Sequence, residues 1–152
     1  MADTESRYFD DLQLGERFPI PSRTMTEALF AAFQLASADN HPIHYDVEYC
    51  RERGHPHMLA HGFQVLIQSA AGAGAFPHEI GDSLIGFIEQ NSRFLKPVYV
   101  GDTLYPLLEI VDLKPQRTTG VVTVKATIQN QKDERVMEGE QKYLLRRRDS
   151  TA

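Results

Sequence analysis

The pattern of apolar and polar positions changes period once along the chain, near residue 84. Before that point apolar residues recur at helical spacing. From Thr24 to Ser37 (TMTEALFAAFQLAS), Leu29, Phe30, Phe33 and Ala36 fall on one face of a helix. Either Thr24 with Glu27 as a capping box or Thr26 alone fits its start. Pro42 lacks an amide donor and pushes His41 out of the helical region, so residues 39–45 are expected to form a fixed loop. A short helix is expected over residues 47–53, capped by Asp46 and stopped by Gly54. A third is expected from Gly62 to about Ala75. Its second half consists of Ser, Ala and Gly, and each glycine costs helix stability, so such a helix suits a place where another element wraps closely around it.

After residue 84 the period shortens to two. The runs 84–95, 103–113, 119–130 and 135–146 read as strands, most clearly where Val122, Val124, Ala126 and Ile128 alternate with polar neighbours. Turn signals separate them: Pro97 with Gly101-Asp102, then Lys114-Pro115, then residues 130–133. Residues 17–23 fit an additional edge strand. Strand, helices, then a run of sequential strands is the order of an α+β domain with an antiparallel sheet. One small-residue helix to bury points to a strongly curved sheet around it.

Composition narrows the function classes. A chain of 152 residues with 41% hydrophobic and 24% charged residues suits one globular domain spanning residues 1–152, large enough for a core of its own. A net charge of −5 disfavours gripping nucleic acid or an anionic membrane. Arg146, Arg147 and Arg148 are the local exception and read as a solvated tail. The single cysteine, Cys50, excludes an intrachain disulfide and suits a reducing compartment. The start MADTESRYFD shows no basic-then-apolar leader, and no apolar run reaches membrane-spanning length, so a cytoplasmic protein is expected.

Five of the six histidines, at 41, 44, 55, 57 and 61, lie within one short stretch. His41 with His44, or His55 with His57, offer pairs of zinc ligands, yet a proline splits each pair, HExxH is absent and Cys50 has no CxxC partner, so no metal is expected. Acid–base chemistry needs less: one carboxylate and one imidazole near the same atoms. Asp39, at the end of a helix taken to be buried, and His44, after Pro42, fit that role in the stretch ASADNHPIHYD. Spacing alone leaves the plainer reading open, with Asp39 capping the helix end or the loop and His44 packing on the sheet. Gly62, after His61, stands at an expected helix start, where free backbone N–H groups can stabilise an oxyanion. Cys50 reads as a small buried thiol, there being no base dedicated to it.

These residues resemble the MaoC-like dehydratases, a family that includes the (R)-specific enoyl-CoA hydratases. The family's aspartate, spacer, Asn-Pro, apolar residue and histidine read here as Asp39, Asn40, His41, Pro42, Ile43 and His44, with Cys50 at a later small position. His41 stands where many members carry asparagine, and Cys50 where they carry alanine or serine. AHGF at 60–63 is similar to the family's entry to its central helix, FLKPVYVGDTL at 94–104 to its strand connection, and NQKDERVMEG at 130–139 to its last hairpin. The resemblance implies a hot-dog fold, an α+β architecture in which a curved antiparallel sheet wraps a central helix. It also implies a homodimer or higher oligomer acting on an acyl-CoA. Asp39 and His44 would activate water for hydration of a 2-enoyl-CoA or the reverse dehydration, the Gly62 amide would polarise the thioester carbonyl, and His41 would help position substrate. No metal or redox cofactor is implied beyond coenzyme A on the substrate. A serine on the central helix takes part in some members, and Ser69 is near that place, but no role is carried to it. A hot-dog thioesterase and a non-catalytic acyl-CoA-binding subunit are the competing readings.

Overall fold

In the computed structural model, which describes residues 5–148, the change of period near residue 84 separates a helical layer from a sheet. Residues 1–4, on which part of the expectation about a leader falls, and residues 149–152 lie outside the described part. The order is β1 (Arg17–Pro19), β2 (Arg23–Thr24), α1 (Glu27–Ser37), α2 (Val47–Glu52), α3 (Gly62–Ile67), α4 (Phe76–Ile80), β3 (Leu84–Phe94), β4 (Thr103–Pro115), β5 (Thr119–Gln129) and β6 (Arg135–Arg146). The four long strands coincide with the alternating runs to within two residues. The sheet is antiparallel with order β1-β4-β5-β6-β3, and β2 pairs with β4. This is the expected α+β hot-dog architecture.

The sequence order of the strands is not their spatial order. β3 joins the last strand, β6, because its connection to β4 is no hairpin: Ala60 N–H donates to Val98 O, Val100 N–H donates to Met58 O, and Leu59 bridges Tyr99. The stretch before α3 is thereby fixed alongside the sheet. Register shifts within β3–β6, β4–β5 and β5–β6 bend the strands, as bulges do. The sheet face toward the helices carries Leu104, Leu108, Val122, Val124, Ile128 and Leu145, all fully buried. Against them pack Met25, Ile80 and Phe76, the last edge-on to Phe18 and Tyr143 at 5.0 and 5.3 Å.

The helices depart from expectation in two respects. α1 begins as read, with Thr26 Oγ1 accepting from Leu29 N–H at 3.2 Å. Its stripe, however, is not buried as a whole: Phe30 is 3% exposed, Leu29 and Phe33 are half-buried, and Ala36 is exposed. The continuous helix expected from Gly62 to Ala75 is also broken. α3 stops at Ile67, one 3-10 turn spans Ala71–Ala73, and α4 restarts at Phe76 with Pro77 in its first turn, where a missing amide costs nothing. Ser69 hastens the break by donating its hydroxyl to Leu66 O at 2.7 Å, competing with the helical backbone. The close approach that small residues permit is real at Gly74, where a Cβ would lie 3.0 Å from Ile20 Cγ1. α2 matches its expectation apart from ending one residue early: Asp46 Oδ1 accepts from Glu48 and Tyr49 N–H, and Gly54 has φ 82°.

Arg146 is exposed as expected, but Arg147 and Arg148 are not a solvated tail. Arg147 binds the Asp10 carboxylate and Arg148 binds Glu5 and Asp11, tying β6 to the N-terminal segment. Those guanidinium groups hold the Asp10 and Asp11 carboxyls below the usual range. Among the described residues no helix is long and apolar enough to cross a membrane.

Candidate active site

The chain leaves α1 through Ala38, whose φ of 57° puts a non-glycine residue in the left-handed region. That reversal places Asp39 at the head of the loop. Asp39 N–H donates to Ser37 Oγ at 3.1 Å, and Asp39 Oδ1 accepts from His41 N–H at 3.2 Å. Pro42–His44 then form one 3-10 turn, with His41 Nδ1 accepting from Ile43 N–H at its start. The loop is fixed from outside as well, since Leu59 N–H donates to Ile43 O at 3.1 Å.

His44 Nδ1 lies 2.7 Å from Leu59 O. A carbonyl only accepts, so Nδ1 carries the proton and Nε2 of the neutral ring keeps a free lone pair. That Nε2 is 3.9 Å from Asp39 Oδ2. Burial lowers the pKa of His44, reinforced by the neighbouring His61 and opposed by the Leu59 hydrogen bond and the Asp39 carboxylate. The Asp39 side chain is half exposed.

His61 completes the arrangement. Its ring lies nearly parallel to that of His44, with centroids 3.5 Å apart, and tilts against Phe33 at 4.9 Å. Nε2 donates to the backbone oxygen of Asp39 at 3.0 Å and sits 3.8 Å from Asp39 Oδ2. The ring is 3% exposed, and Nδ1 is buried without a partner.

These groups open onto one cavity of about 680 Å³. Asp39, His44, His61 and Gly62 line it together with Phe33, Ser37, Phe63, Leu66, Gln90, Ser92 and Phe94. Gly62 is the first residue of α3, whose first-turn N–H groups have no partner within the helix. A Cβ there would lie 3.5 Å from Phe94 Cζ, so glycine keeps the gap between helix start and sheet open.

Of the residues singled out from sequence, Asp39, His44 and Gly62 come together. His41 does not line the cavity; its ring caps the 3-10 turn and stands edge-on to Tyr49 at 5.7 Å. Cys50 is fully buried and its thiol donates to Ile43 O at 3.1 Å, so it packs the loop. Ser69 points away into the core, where its hydroxyl also accepts from Gln141 Nε2 at 3.2 Å. The His61 ring was not singled out, because only Gly62 beside it drew notice and nothing in the spacing announces a stack on His44. Asp39, His44 and His61 are also the one group of three metal-ligating side chains found among the described residues, with donor atoms within 4.8 Å of one another. That set differs from the His41–His44 and His55–His57 pairs that spacing offered.

The family described as MaoC like domain matches residues 12–132. This chain is a member of that family. Among its MaoC-like relatives, the uncharacterized protein YdeM of Bacillus subtilis is 30% identical over 142 residues, covering 91% of this chain and 98% of YdeM. The (R)-specific enoyl-CoA hydratase of Rhodospirillum rubrum is 26% identical over 134 residues, covering 82% of this chain and 88% of that enzyme. A Mycobacterium tuberculosis protein described as a double hot-dog fold superposes with a TM-score of 0.79 at 28% identity, covering 97% of this chain and 46% of that one.

Proposed function

We propose that this MaoC-like protein hydrates a 2-enoyl thioester carried on coenzyme A, or dehydrates the corresponding 3-hydroxyacyl thioester. The observation that supports this most is the facing of His44 Nε2 and Asp39 Oδ2, 3.9 Å apart, into a cavity that the amide end of α3 also borders. A water between them can give a hydrogen bond to each. His44 Nε2 takes the water's proton as its oxygen bonds the β-carbon, and the Asp39–His44 pair returns one proton to the α-carbon, so the enzyme ends unchanged. The electron pair of the double bond passes meanwhile toward the thioester oxygen, whose growing charge the Gly62 N–H can stabilise by donating a hydrogen bond. Proton transfer and carbonyl polarisation are both supplied by these groups, so the reaction calls for no metal or redox cofactor.

Burial favours the neutral His44 and thus the form that acts as base. His61 supports the pair from behind, holding the Asp39 backbone and lying on His44. The (R)-specific hydratase among the relatives lends the reaction class weight, being similar over most of both chains. We also propose that the protein forms a homodimer through β3, which pairs on one side only and exposes Phe87 and Ile88.

The test is to mix the purified protein with short and long trans-2-enoyl-CoAs and follow both the loss of conjugated absorbance and the release of free thiol. Hydration without thiol release is expected. Asp39→Asn and His44→Ala should each lower kcat/KM by about a hundredfold or more while circular dichroism is unchanged. Thiol release without hydration would overturn the reading in favour of a thioesterase, and near-normal hydration by either variant would overturn the dyad.

A further inference from the structure

The part of the cavity wall built by β3 is chemically unlike the rest of the sheet. Gln90, Ser92 and Phe94 alternate along one face of that strand, and all three line the cavity. Elsewhere the sheet face toward the helices is mostly aliphatic, with Leu108, Val124 and Ile128 on it, and its buried polar members Gln141 and Tyr143 are bonded within the protein. A plain hydrocarbon chain would be served by the same residue types on β3. Two polar side chains stand there instead.

Gln90 is the more informative of the two, because its Nε2 is buried and has no hydrogen-bond partner. Its register partner across the ladder is Gln141, the obvious candidate to satisfy it. Gln141 is already committed at both ends: Nε2 donates to Ser69 O and Oγ at 3.0 and 3.2 Å, and Oε1 accepts from Tyr143 O–H at 2.6 Å. The core therefore leaves the Gln90 donor unanswered. A buried donor without a partner carries its full desolvation cost, and the Gln90 side chain is one of those lining the cavity.

We propose that Gln90 is a specificity-determining residue whose amide donates to an uncharged oxygen on the acyl group, so that the favoured substrates are 2-enoyl thioesters bearing a hydroxyl or carbonyl further along the chain. This rests on the hydratase reading above for its substrate frame. The oxygen is uncharged because no Lys or Arg lines the cavity, and the carboxylate of Asp39 opposes a second anion there. It belongs to the acyl group and not to the pantetheine arm because Gln90 Nε2 is out of contact with solvent, whereas the arm must run out to it. Phe33, Phe63 and Leu66 on the facing wall take the hydrocarbon part of the same chain.

The experiment compares trans-2-enoyl-CoAs of one length that carry either a hydroxyl or a methyl group at the fourth, fifth or sixth acyl carbon. For the best-placed hydroxyl, the wild type should show kcat/KM about tenfold above the methyl isostere. Gln90→Leu should remove that preference, lowering kcat/KM for the hydroxyl substrate about tenfold more than for its methyl isostere, and the enedioyl-CoA of equal length should be a poor substrate of both. The same acyl pairs on N-acetylcysteamine, which lacks most of the pantetheine arm, should keep the difference. Its disappearance there would overturn the assignment by placing the contact on the arm. A wild type indifferent to every hydroxyl position would overturn it too, whether or not the variant folds, as would a variant that slows both substrate types equally. Calorimetric binding of the saturated hydroxyacyl-CoA against its methyl isostere separates the two proposals. A binding preference in a protein that hydrates nothing sinks the hydratase and leaves Gln90 standing, while hydration without any preference does the reverse.

Discussion

His61 touches both proposed catalytic groups, one through the Asp39 backbone oxygen and the other through a face-to-face stack on His44. Acting through the Asp39 backbone and the His44 ring makes it a positioning residue. His61→Phe keeps a flat ring under His44 and removes the hydrogen bond, and kcat/KM is expected to fall about tenfold. The variant should also move the pH profile. In the wild type burial holds His44 below the ordinary histidine value of 6.5, so activity is retained as pH falls past 6.5 and is lost only when Nε2 takes up a proton below it. His61 contributes to that lowering, so the acid limb of kcat/KM in the variant should shift to higher pH. A profile that stays in place with reduced activity would assign His61 a purely geometric part. Asp39 and His44 were legible in the sequence because Pro42 between them leaves the loop few conformations. The His61 ring was not, since its position depends on the pairing of residues 58–60 with 98–100, contacts distant in sequence.

At the level of elements, β4, β5 and β6 could be read closely because buried positions alternate along much of each, which forces a period of two. The segment after Gly62 could not, since Ala and Gly carry little periodic signal and tolerate a helix, a 3-10 turn or an open turn alike. Nor does any local pattern say that β3 lies beside β6. The turn out of α1 is a further case: Ala38 takes up a left-handed conformation that its sequence neighbours do not advertise. Ala38→Gly relieves the Cβ conflict there and should raise stability by about 1 kcal/mol in urea denaturation, an effect that a right-handed conformation at this position would reverse. Because the same residue leads into Asp39, the substitution also tests whether a more flexible turn matters to catalysis, through kcat at unchanged KM.

For the whole molecule the open edge of β3 is the largest unfinished feature. Among the described residues its eleven positions have a strand partner on one side only, and Phe87 and Ile88 are 58% and 52% exposed. A second copy related by a two-fold axis would pair that edge antiparallel with itself and cover those side chains. Light scattering should give twice the chain mass, and Ile88→Lys should shift the protein toward the monomer. A wild type that stays monomeric at high concentration would refute the dimer. Cys50 offers a way to watch the assembly breathe. Its sulfur is wholly enclosed and bonded to the carbonyl of Ile43, inside the turn that carries His44. Since the chain has no other thiol, a small alkylating reagent added to the native protein can react only when that turn opens. The labelling rate is thus a clock for the opening of the loop that carries Asp39 and His44, and saturating acyl-CoA should slow it if acyl-CoA binds there and holds that loop shut.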